Sequence, residues 1–428
     1  MNRSATGSLK RVNQQPSHAH LSRDVSRSPA PLVRSRSGHL DAVIVPASRP
    51  ASFLQPVIDL AARLGVVLVV LCSKQTGDEH VARRVATTPG AKCLIIPIPE
   101  GWKHSKFPSR TSDRIFHEAQ AHRASDLSVK RNLGLLLARL HGWNKIAFVD
   151  DDITLSRTDN IARLAGQLEA HQVAGMVVPQ HPDNSVVCHA RRLAGWSQDV
   201  FITGAVLGVH CNSLPLSFFP DIYNEDWFFF AREAAARMLP QVGTARQPEY
   251  DPFANPDRAR REEFGDLLAE GLFALFGDAS PGMSFDEQLR GATGAFWCRF
   301  IEARRDVLTE TRTALGRFAN QDPDNDKLSS AYYALGAAEY QLDTVTPDLC
   351  MDFMDAWRAD LGDWQWFSSR VNSVGSTADA MDFLGLNSWA LTEFGDPRWA
   401  RETARAGSPS PAGVDAQRVP PLEPPHGG

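Results

Sequence analysis

Short apolar segments alternate with helix-patterned segments through the first 150 residues, and this alternation constrains the fold more than any other feature of the sequence. One helix is predicted after the first apolar segment, where Pro56 stands near the first turn, and another at residues 128–140. Apolar runs of strand length occur at residues 41–46, 66–72, 92–98 and 145–149. Strands and helices that alternate at this spacing predict an α/β fold with a mostly parallel sheet and helices on both faces.

The pattern changes in the second half of the chain. Residues 173–179 and 201–210 predict two further strands, and residues 228–238 predict a helix. Beyond about residue 257 the strand pattern ends, and helices are predicted at residues 258–276, 285–318, 327–342, 348–361 and 377–383. We therefore predict a sheet domain over residues 41–256 and a helical C-terminal region over residues 257–400.

Both ends of the chain have the composition of disordered tails. Residues 1–40 are rich in Ser and Arg and hold few aliphatic side chains, so they cannot bury enough apolar area to offset their chain entropy. Residues 401–428 are rich in Pro, with Gly and Ser, and the same reasoning applies. A basic tail at residues 1–40 and a Pro-rich tail at residues 401–428 are therefore predicted to be disordered.

Composition favours a small ligand over a polymeric partner. The net charge of −5 comes from 45 basic and 50 acidic residues, a balance that predicts no basic surface for nucleic acid or an anionic membrane. The six cysteines are far apart and form no CxxC or Cys/His cluster, which is typical of reduced thiols. The longest strongly apolar run, residues 66–72, is too short to cross a bilayer. We expect a cytoplasmic protein without an integral membrane segment.

Three consecutive aspartates, Asp150, Asp151 and Asp152, follow the strand predicted at residues 145–149. Ligands of open α/β sheets bind at the carboxyl ends of the strands, and adjacent carboxylates repel one another unless a cation joins them. In an extended chain Asp150 and Asp152 point to the same side, with Asp151 facing the other way, and Mg²⁺ and Mn²⁺ prefer such oxygen ligands. The alternative is a solvated strand end at which one aspartate caps the next turn.

A second acidic pair, Glu225 and Asp226, begins a predicted helix directly after Asn224, a favourable N-cap residue. The helix dipole stabilises carboxylates in a first turn, and this alone would account for both acids. A helix-start aspartate also stays ionised, as a general base for a hydroxyl nucleophile must. We predict that Asp226 is the base, and that Glu225 orients it or binds the transferred group.

The order and spacing of five motifs resemble those of glycosyltransferases of the GT-A fold, most nearly the family-2 type, over residues 41–253. The segment DAVIVPASRP is similar to the first strand and to the loop that receives the nucleotide. The helix start KRN is similar to the basic-Asn element that faces the nucleotide, and DDD matches the DxD metal site. FITGA resembles the acceptor-side strand, and the Glu-Asp pair resembles the ED motif, whose Asp is the base in inverting members.

The resemblance implies a GT-A nucleotide-diphospho-sugar transferase fold and a set of site residues. The implied donor-binding residues are Pro46, Ser48, Arg49, Lys130, Arg131, Asn132 and Asp151. The implied acceptor-binding residues are Gly204, Ala205 and Trp227, and the implied catalytic residues are Asp226 and Glu225. A divalent cation, Mn²⁺ or Mg²⁺, is implied at Asp150, Asp152 and Gln247.

Two departures from the family pattern leave parts of the site open. Family-2 members often carry an acidic residue after the second strand, for uracil, whereas Ser73 and Lys74 stand there in this chain. The resemblance nevertheless favours a UDP-sugar as the donor, and UDP-glucose is the first candidate. Many metal-dependent members also present a His after the ED motif, but here no His lies between His210 and His426, so Gln247, Asp251 or water would replace it.

The functional hypothesis is transfer of a hexose from a nucleotide diphosphate sugar to a hydroxyl of a small soluble acceptor, with inversion at the anomeric carbon. Three alternatives stay open: a retaining transferase of the same fold, such as one making a sugar osmolyte; a nucleotidyltransferase, although the PASRP loop lacks glycine; and a non-catalytic nucleotide-sugar-binding scaffold. The Ala-, Arg-, Asp- and Pro-rich composition is typical of GC-rich genomes, which favours a polyol or aminocyclitol acceptor, as in antibiotic biosynthesis.

Overall fold

A computed structural model describes residues 18–32, 35–155, 157–182, 184–395 and 402–403. The strands are β1 (Ser22–Asp24), β2 (Ala42–Ala47), β3 (Val67–Cys72), β4 (Lys92–Pro97), β5 (Lys145–Val149), β6 (Val173–Val177), β7 (Thr203–His210), β8 (Leu239–Thr244), β9 (Ser388–Glu393) and β10 (Glu402–Thr403). The first helices are α1 (Gln55–Leu64), α2 (Asp78–Thr87), α3 (Arg114–Ala119), α4 (Leu127–Leu140), α5 (Thr158–Gln167), α6 (Val186–Leu193), α7 (Glu225–Phe229) and α8 (Ala231–Ala235). They are followed by α9 (Asp257–Asp278), α10 (Phe285–Leu289), α11 (Gly294–Gln321), α12 (Asp326–Leu342), α13 (Pro347–Ser368) and α14 (Thr377–Leu384).

One mixed sheet organises the chain, in the strand order β1-β8-β6-β7-β5-β2-β3-β4-β9-β10. Its centre is parallel, because β2 pairs in parallel with both β3 and β5, and β3 pairs in parallel with β4. Strand β7 runs antiparallel to β5 and β6. The beginning of β7 therefore lies at the same edge of the sheet as the ends of β2, β3 and β5.

The central strands are buried on both faces, which explains their nearly continuous apolar sequence. Ile44 and Phe148 belong to the core cluster that includes α4 and the C-terminal helices. Their neighbours Val43 and Val149 belong to the cluster that includes α1, α2 and α5. Successive side chains of a strand point to opposite faces, so helices cover the two sides of the sheet as the alternation predicted.

The six strands predicted from sequence are present, with ends that differ by at most two residues. The helix predicted at residues 228–238 differs: α7 and α8 are two short helices separated at Phe230, and β8 follows at once. The helix predicted at residues 285–318 is likewise divided into α10 and α11. The expectation that strands end beyond residue 257 is wrong, because β9 pairs antiparallel with β4 and extends the sheet.

The N-terminal segment differs from the disordered tail predicted at residues 1–40. Within it, β1 pairs in parallel with β8, and Leu21 is fully buried. Tertiary contacts explain the difference, because an edge strand and one apolar anchor are enough to hold a polar segment whose composition alone does not fold. Residues 1–17 lie outside the described residues, as does most of the tail predicted at residues 401–428, of which β10 is described.

No helix in the described part of the chain is long and apolar enough to cross a membrane. All six cysteines lie within the described ranges as free thiols, and only Cys298 of the six is exposed. Burial raises the pKa of the Cys72 thiol to about 12, a value that keeps it protonated and unreactive at neutral pH.

Glu233, on α8, gives the fold a testable pH dependence. Burial beside Phe285 and Trp357 raises the pKa of its carboxyl to about 7, from an ordinary value of 4.5. Because the folded state binds this proton more tightly than the unfolded state, the contribution is full below about pH 4.5 and is lost as the pH rises toward 7. We expect Glu233→Gln to raise the free energy of unfolding by about 1–2 kcal/mol at pH 8 and to change it little at pH 4.

Urea unfolding at both pH values checks this expectation. Glu310→Gln, at an exposed position on α11, is the matched control and should leave the pH dependence of the wild type unchanged. Equal effects of Glu233→Gln at pH 4 and pH 8 would show that burial does not perturb this carboxyl.

Candidate active site

A cavity of about 430 Å³ opens at the sheet edge where β2, β3 and β5 end and β7 begins. Further lining comes from the start of α7 and from the segment that precedes α9. This volume lies within the range of small-molecule sites in proteins. Parallel strands of α/β sheets bind ligands at this end, so the cavity is the leading candidate for an active site.

Twelve of the fifteen site residues predicted from sequence line this one cavity. They are Pro46, Ser48, Arg49, Arg131, Asp150, Asp151, Asp152, Gly204, Glu225, Asp226, Trp227 and Gln247. The other three, Lys130, Asn132 and Ala205, are buried behind its wall.

Lys130 and Asn132 hold backbone segments together and do not project into the cavity. The Lys130 ammonium donates to the Ala47 carbonyl at 2.7 Å and to the Ser73 hydroxyl at 2.6 Å, which ties together the ends of β2 and β3. The Asn132 amide donates to the Phe219 carbonyl at 2.8 Å and accepts from the Phe219 amide at 2.9 Å. Both side chains shape the walls of the cavity from within.

Asp151 fixes the loop after β2. Its carboxylate accepts the backbone N–H groups of Ser48 at 2.7 Å and Arg49 at 2.9 Å, and it also pairs with the Arg49 guanidinium. The alternation expected of an extended chain is absent here, because residues 150–153 form a turn, with the Ile153 N–H donating to the Asp150 carbonyl at 3.2 Å, and Asp151 and Asp152 both pair with Arg49. The predicted nucleotide loop is thus held against the end of β5 by a nearly buried carboxylate.

Asp152 and Gln247 contact each other, and each has one side-chain oxygen with no hydrogen-bond partner among the described residues. Arg49 Nη2 lies 3.0 Å from Asp152 Oδ2, and Gln247 Nε2 donates to the same oxygen at 3.2 Å. Asp152 Oδ1 and Gln247 Oε1 are buried without a hydrogen bond to the described part of the protein. Burial raises the pKa of the Asp152 carboxyl, against the opposing effects of Arg49 and Gln247.

These oxygens bear on whether a divalent cation fits the site. The described residues contain no group of three or more His, Cys, Asp or Glu side chains arranged around a metal position. However, buried polar atoms are normally satisfied, and unpaired carboxylate and amide oxygens are the hard ligands that Mg²⁺ and Mn²⁺ accept. Asp152 and Gln247 of the predicted set therefore offer suitable oxygens to a cation that completes its shell with substrate oxygens or water, whereas Asp150 of that set pairs with Arg131.

Arg131 connects the two acidic motifs. Its Nη2 donates to Asp150 Oδ1 at 2.9 Å, and its Nη1 donates to Glu225 Oε1 at 2.5 Å. Burial opposes the charge of the guanidinium, but Asp150, Glu225 and Asp226 outweigh it and hold the Arg131 pKa above its usual value. A Cβ at Gly204 would overlap the guanidinium atoms, so a glycine here lets Arg131 reach both carboxylates.

Asp226 is anchored to the beginning of β7. Its Oδ2 accepts the Gly204 N–H at 2.5 Å, and its Oδ1 accepts the Trp227 N–H at 3.0 Å. Asn224 occupies the N-cap position of α7, but its side chain makes no capping hydrogen bond within the described structure and instead donates to Asp266. Asn224 is thus the N-cap residue by position, but its side chain does not cap the helix.

Trp227 contributes one edge to the cavity while its ring packs inward. The ring centroid lies 4.3 Å from that of Phe273, 5.4 Å from that of Phe201 and 5.5 Å from that of His18. This packing fixes the ring. His18, from the segment predicted to be disordered, is part of this support.

Sequence reasoning missed several polar residues of the lining. They include Lys74, Arg123, Asp126, Tyr250 and Arg258. Arg258 donates to the Tyr250 hydroxyl at 3.2 Å and to Glu262 at 2.6 Å. Arg258 and Glu262 are oppositely charged and four positions apart, which is typical of an ion pair on one helix. Such a pair occurs on an exposed helix face as readily as in a cavity wall, so the sequence did not indicate the cavity.

Comparison with known proteins gives little further information. No model of a known protein family matches this chain, and no curated protein sequence matches it significantly. Among solved structures, the chain is similar to the mannosyltransferase PcManGT from Pyrobaculum calidifontis, in complex with GDP-Man and Mn²⁺. The two are 17% identical over 74% of this chain and 91% of that chain, with a TM-score of 0.40. A likeness of this size establishes neither a family nor an activity for this chain.

Proposed function

We propose that this protein is a metal-dependent glycosyltransferase of the GT-A type. The observation that supports this most is the meeting of the two predicted acidic motifs in one cavity, joined through Arg131. The motifs are 74 positions apart in sequence (226 − 152), and the resemblance assigns one to the donor and the other to the acceptor. Their convergence at the ligand-binding edge of the sheet is what a two-substrate transfer requires.

The donor half of the site would bind the nucleotide diphosphate. Asp151 holds the loop of Ser48 and Arg49, and the loop offers backbone and guanidinium groups to the nucleotide. Asp150, Asp152 and Gln247 would hold Mn²⁺ or Mg²⁺, which supplies Lewis-acid stabilisation of the charge that develops on the departing diphosphate. Lys130 and Asn132 would act by shaping this wall from behind.

The acceptor half would activate a hydroxyl group. Asp226 is held by two backbone N–H groups, so its carboxylate has a fixed orientation toward the cavity that it lines. It would take the proton of the attacking hydroxyl as the bond to the anomeric carbon forms, with inversion. Glu225 is held by Arg131 and would orient the sugar, with Gly204 and Trp227 at the acceptor.

A UDP-sugar, with UDP-glucose first, is the proposed donor, and a small polyhydroxylated molecule such as a polyol or aminocyclitol is the proposed acceptor. Retention of anomeric configuration is the nearest alternative, and the anomeric signals of the product in an NMR spectrum decide between the two. A nucleotidyltransferase would release pyrophosphate or transfer a nucleotide, so product analysis separates it from sugar transfer.

A screen of UDP-, GDP- and dTDP-sugars tests the proposed function without requiring the acceptor. We expect one donor to bind in calorimetry only when Mn²⁺ or Mg²⁺ is present, and to be hydrolysed slowly by the same sample. Chelation of the metal should abolish both effects and restored metal should return them. Metal-dependent binding without turnover would favour the non-catalytic scaffold, and no binding of any donor would contradict the proposal.

A further inference from the structure

Asn224, which immediately precedes α7, has a left-handed backbone conformation with φ 62° and ψ 36°. Residues other than glycine rarely adopt this conformation, although Asn tolerates it better than most. The Asn224 side chain donates from Nδ2 to Asp266 Oδ1 at 3.1 Å. An unfavourable backbone conformation persists where the surroundings hold it, and Asp266 is the side chain that holds this one.

Asp266 is itself fixed by a buried ion cluster between α9 and α11. Arg304 Nη2 donates to Asp266 Oδ2 at 2.6 Å, and Arg304 also makes two bonds of 2.9 Å to the carboxylate of Glu263. All three residues are at least 97% buried. Burying such charges is often no more stabilising than packing apolar side chains of the same volume, so the cluster calls for an explanation other than stability.

Helix α9 makes a second contact with the turn at Asn224, through Gly265. A Cβ at Gly265 would lie 2.5 Å from the carbonyl oxygen and 2.9 Å from the nitrogen of Tyr223. The backbone of α9 therefore touches the backbone of Tyr223, and the next side chain along α9 holds Asn224. Asp226, which is two residues after Asn224, accepts the Gly204 N–H of β7. The segment from Tyr223 to Asp226 thus contacts α9 through Tyr223 and Asn224, and contacts the sheet through Asp226.

We propose that Asp266, held by Arg304, is a positioning residue that orients Asp226 through the left-handed turn at Asn224. This assignment depends on the proposed role of Asp226 as the base. The ion cluster sets where α7 begins, and α7 sets where the Asp226 carboxylate lies relative to Gly204. Because donor binding belongs to the residues at the ends of β2 and β5, loss of Asp266 should affect the chemical step and leave donor affinity intact.

Asp266→Ala tests the proposal, because a positioning role predicts that kcat falls while KM stays the same. We expect kcat to fall about 10- to 100-fold, since displacement of a reacting group by about 1 Å costs up to this much, while the KM and calorimetric Kd of the donor stay within about twofold. Asp266→Asn keeps an oxygen that can accept from Asn224 but loses the oxygen that accepts from Arg304, so it should restore part of the lost kcat. A kcat of Asp266→Asn no higher than that of Asp266→Ala would contradict positioning through Asn224.

The ion pair between Arg312 and Glu339 supplies a matched control. It joins α11 to α12 at 2.6 Å and has no contact with the turn at Asn224. Glu339→Ala should lower the midpoint of thermal unfolding without changing kcat. If Glu339→Ala and Asp266→Ala reduce kcat equally, both act through general stability and the proposal fails.

Asn224→Gly separates backbone conformation from the side-chain tether. Glycine adopts a left-handed conformation without strain but offers no amide to Asp266. We expect kcat to fall about tenfold with an unchanged melting temperature, and wild-type kcat in this variant would overturn the role of the tether.

A crystal structure of Asp266→Ala gives a readout that does not need activity. The Asp226 carboxylate should leave the Gly204 N–H, and an unmoved Asp226 would overturn the proposal even if no donor were ever turned over. Absence of turnover in the wild-type protein would instead count against the proposed function.

Discussion

Replacing Asp226 by asparagine is expected to lower the rate of sugar transfer by about 10²- to 10⁴-fold, the range that general-base catalysis supplies. Asparagine has nearly the same shape, and its carbonyl oxygen can still accept the Gly204 N–H, although its amide cannot accept the Trp227 N–H that Asp226 also binds. Its amide cannot take a proton from an acceptor hydroxyl. The variant should therefore fold, bind the donor with wild-type affinity and fail in the chemical step, as steady-state kinetics and calorimetry would show.

Asp257→Asn is the matched control for this change. Asp257 also begins a helix, α9, but it is exposed and does not line the cavity. It should retain wild-type turnover. An Asp226→Asn enzyme that transfers sugar at the wild-type rate would assign the proton transfer to a different group.

The second large effect is expected at Asp152. Asp152→Ala should reduce metal-dependent transfer by about 10²- to 10³-fold, because charge stabilisation by a bound cation contributes several kcal/mol to the transition state. The substitution also removes the second carboxylate of Arg49, which is left paired with Asp151 alone. Donor binding measured by calorimetry should lose its dependence on Mn²⁺.

Asp159→Ala serves as the control for Asp152→Ala. Asp159 is an exposed acid in the first turn of α5, paired with Arg157 at 3.3 Å, and it does not line the cavity. Its loss should change neither transfer nor metal dependence. Undiminished transfer by Asp152→Ala with a verified donor would remove Asp152 from the metal site.

The fold could be predicted where burial dominates the local sequence. Strands β2 to β5 are recognisable because both faces of each are covered, so apolar residues follow one another without interruption. By contrast, β8 contains Pro240 and Gly243, which weaken its pattern, and β1 is the polar tripeptide Ser22–Asp24. Such strands form because a partner strand is already in place, and a sequence window does not contain that partner.

Most of the candidate site could be predicted, and its two acidic motifs follow from local sequence. Carboxylates at strand and helix ends follow from local sequence, and the structure places them around one cavity. The roles of Lys130 and Asn132 could not be predicted, because whether a polar side chain on a buried helix points to a ligand or to the backbone depends on tertiary packing. The Asp266-Arg304 pair could not be predicted from local sequence either, because its two members are 38 positions apart.

The pairing of β9 with β4 and of β1 with β8 has a consequence for synthesis on the ribosome. About 290 residues separate β4 from β9, and more than 210 separate β1 from β8, so both late partners emerge long after the early strands. Until then β4 presents unpaired backbone groups along an apolar edge, a surface prone to wrong pairing. The sheet can reach its full width only after residue 403 has been translated, which makes this protein a candidate for chaperone assistance.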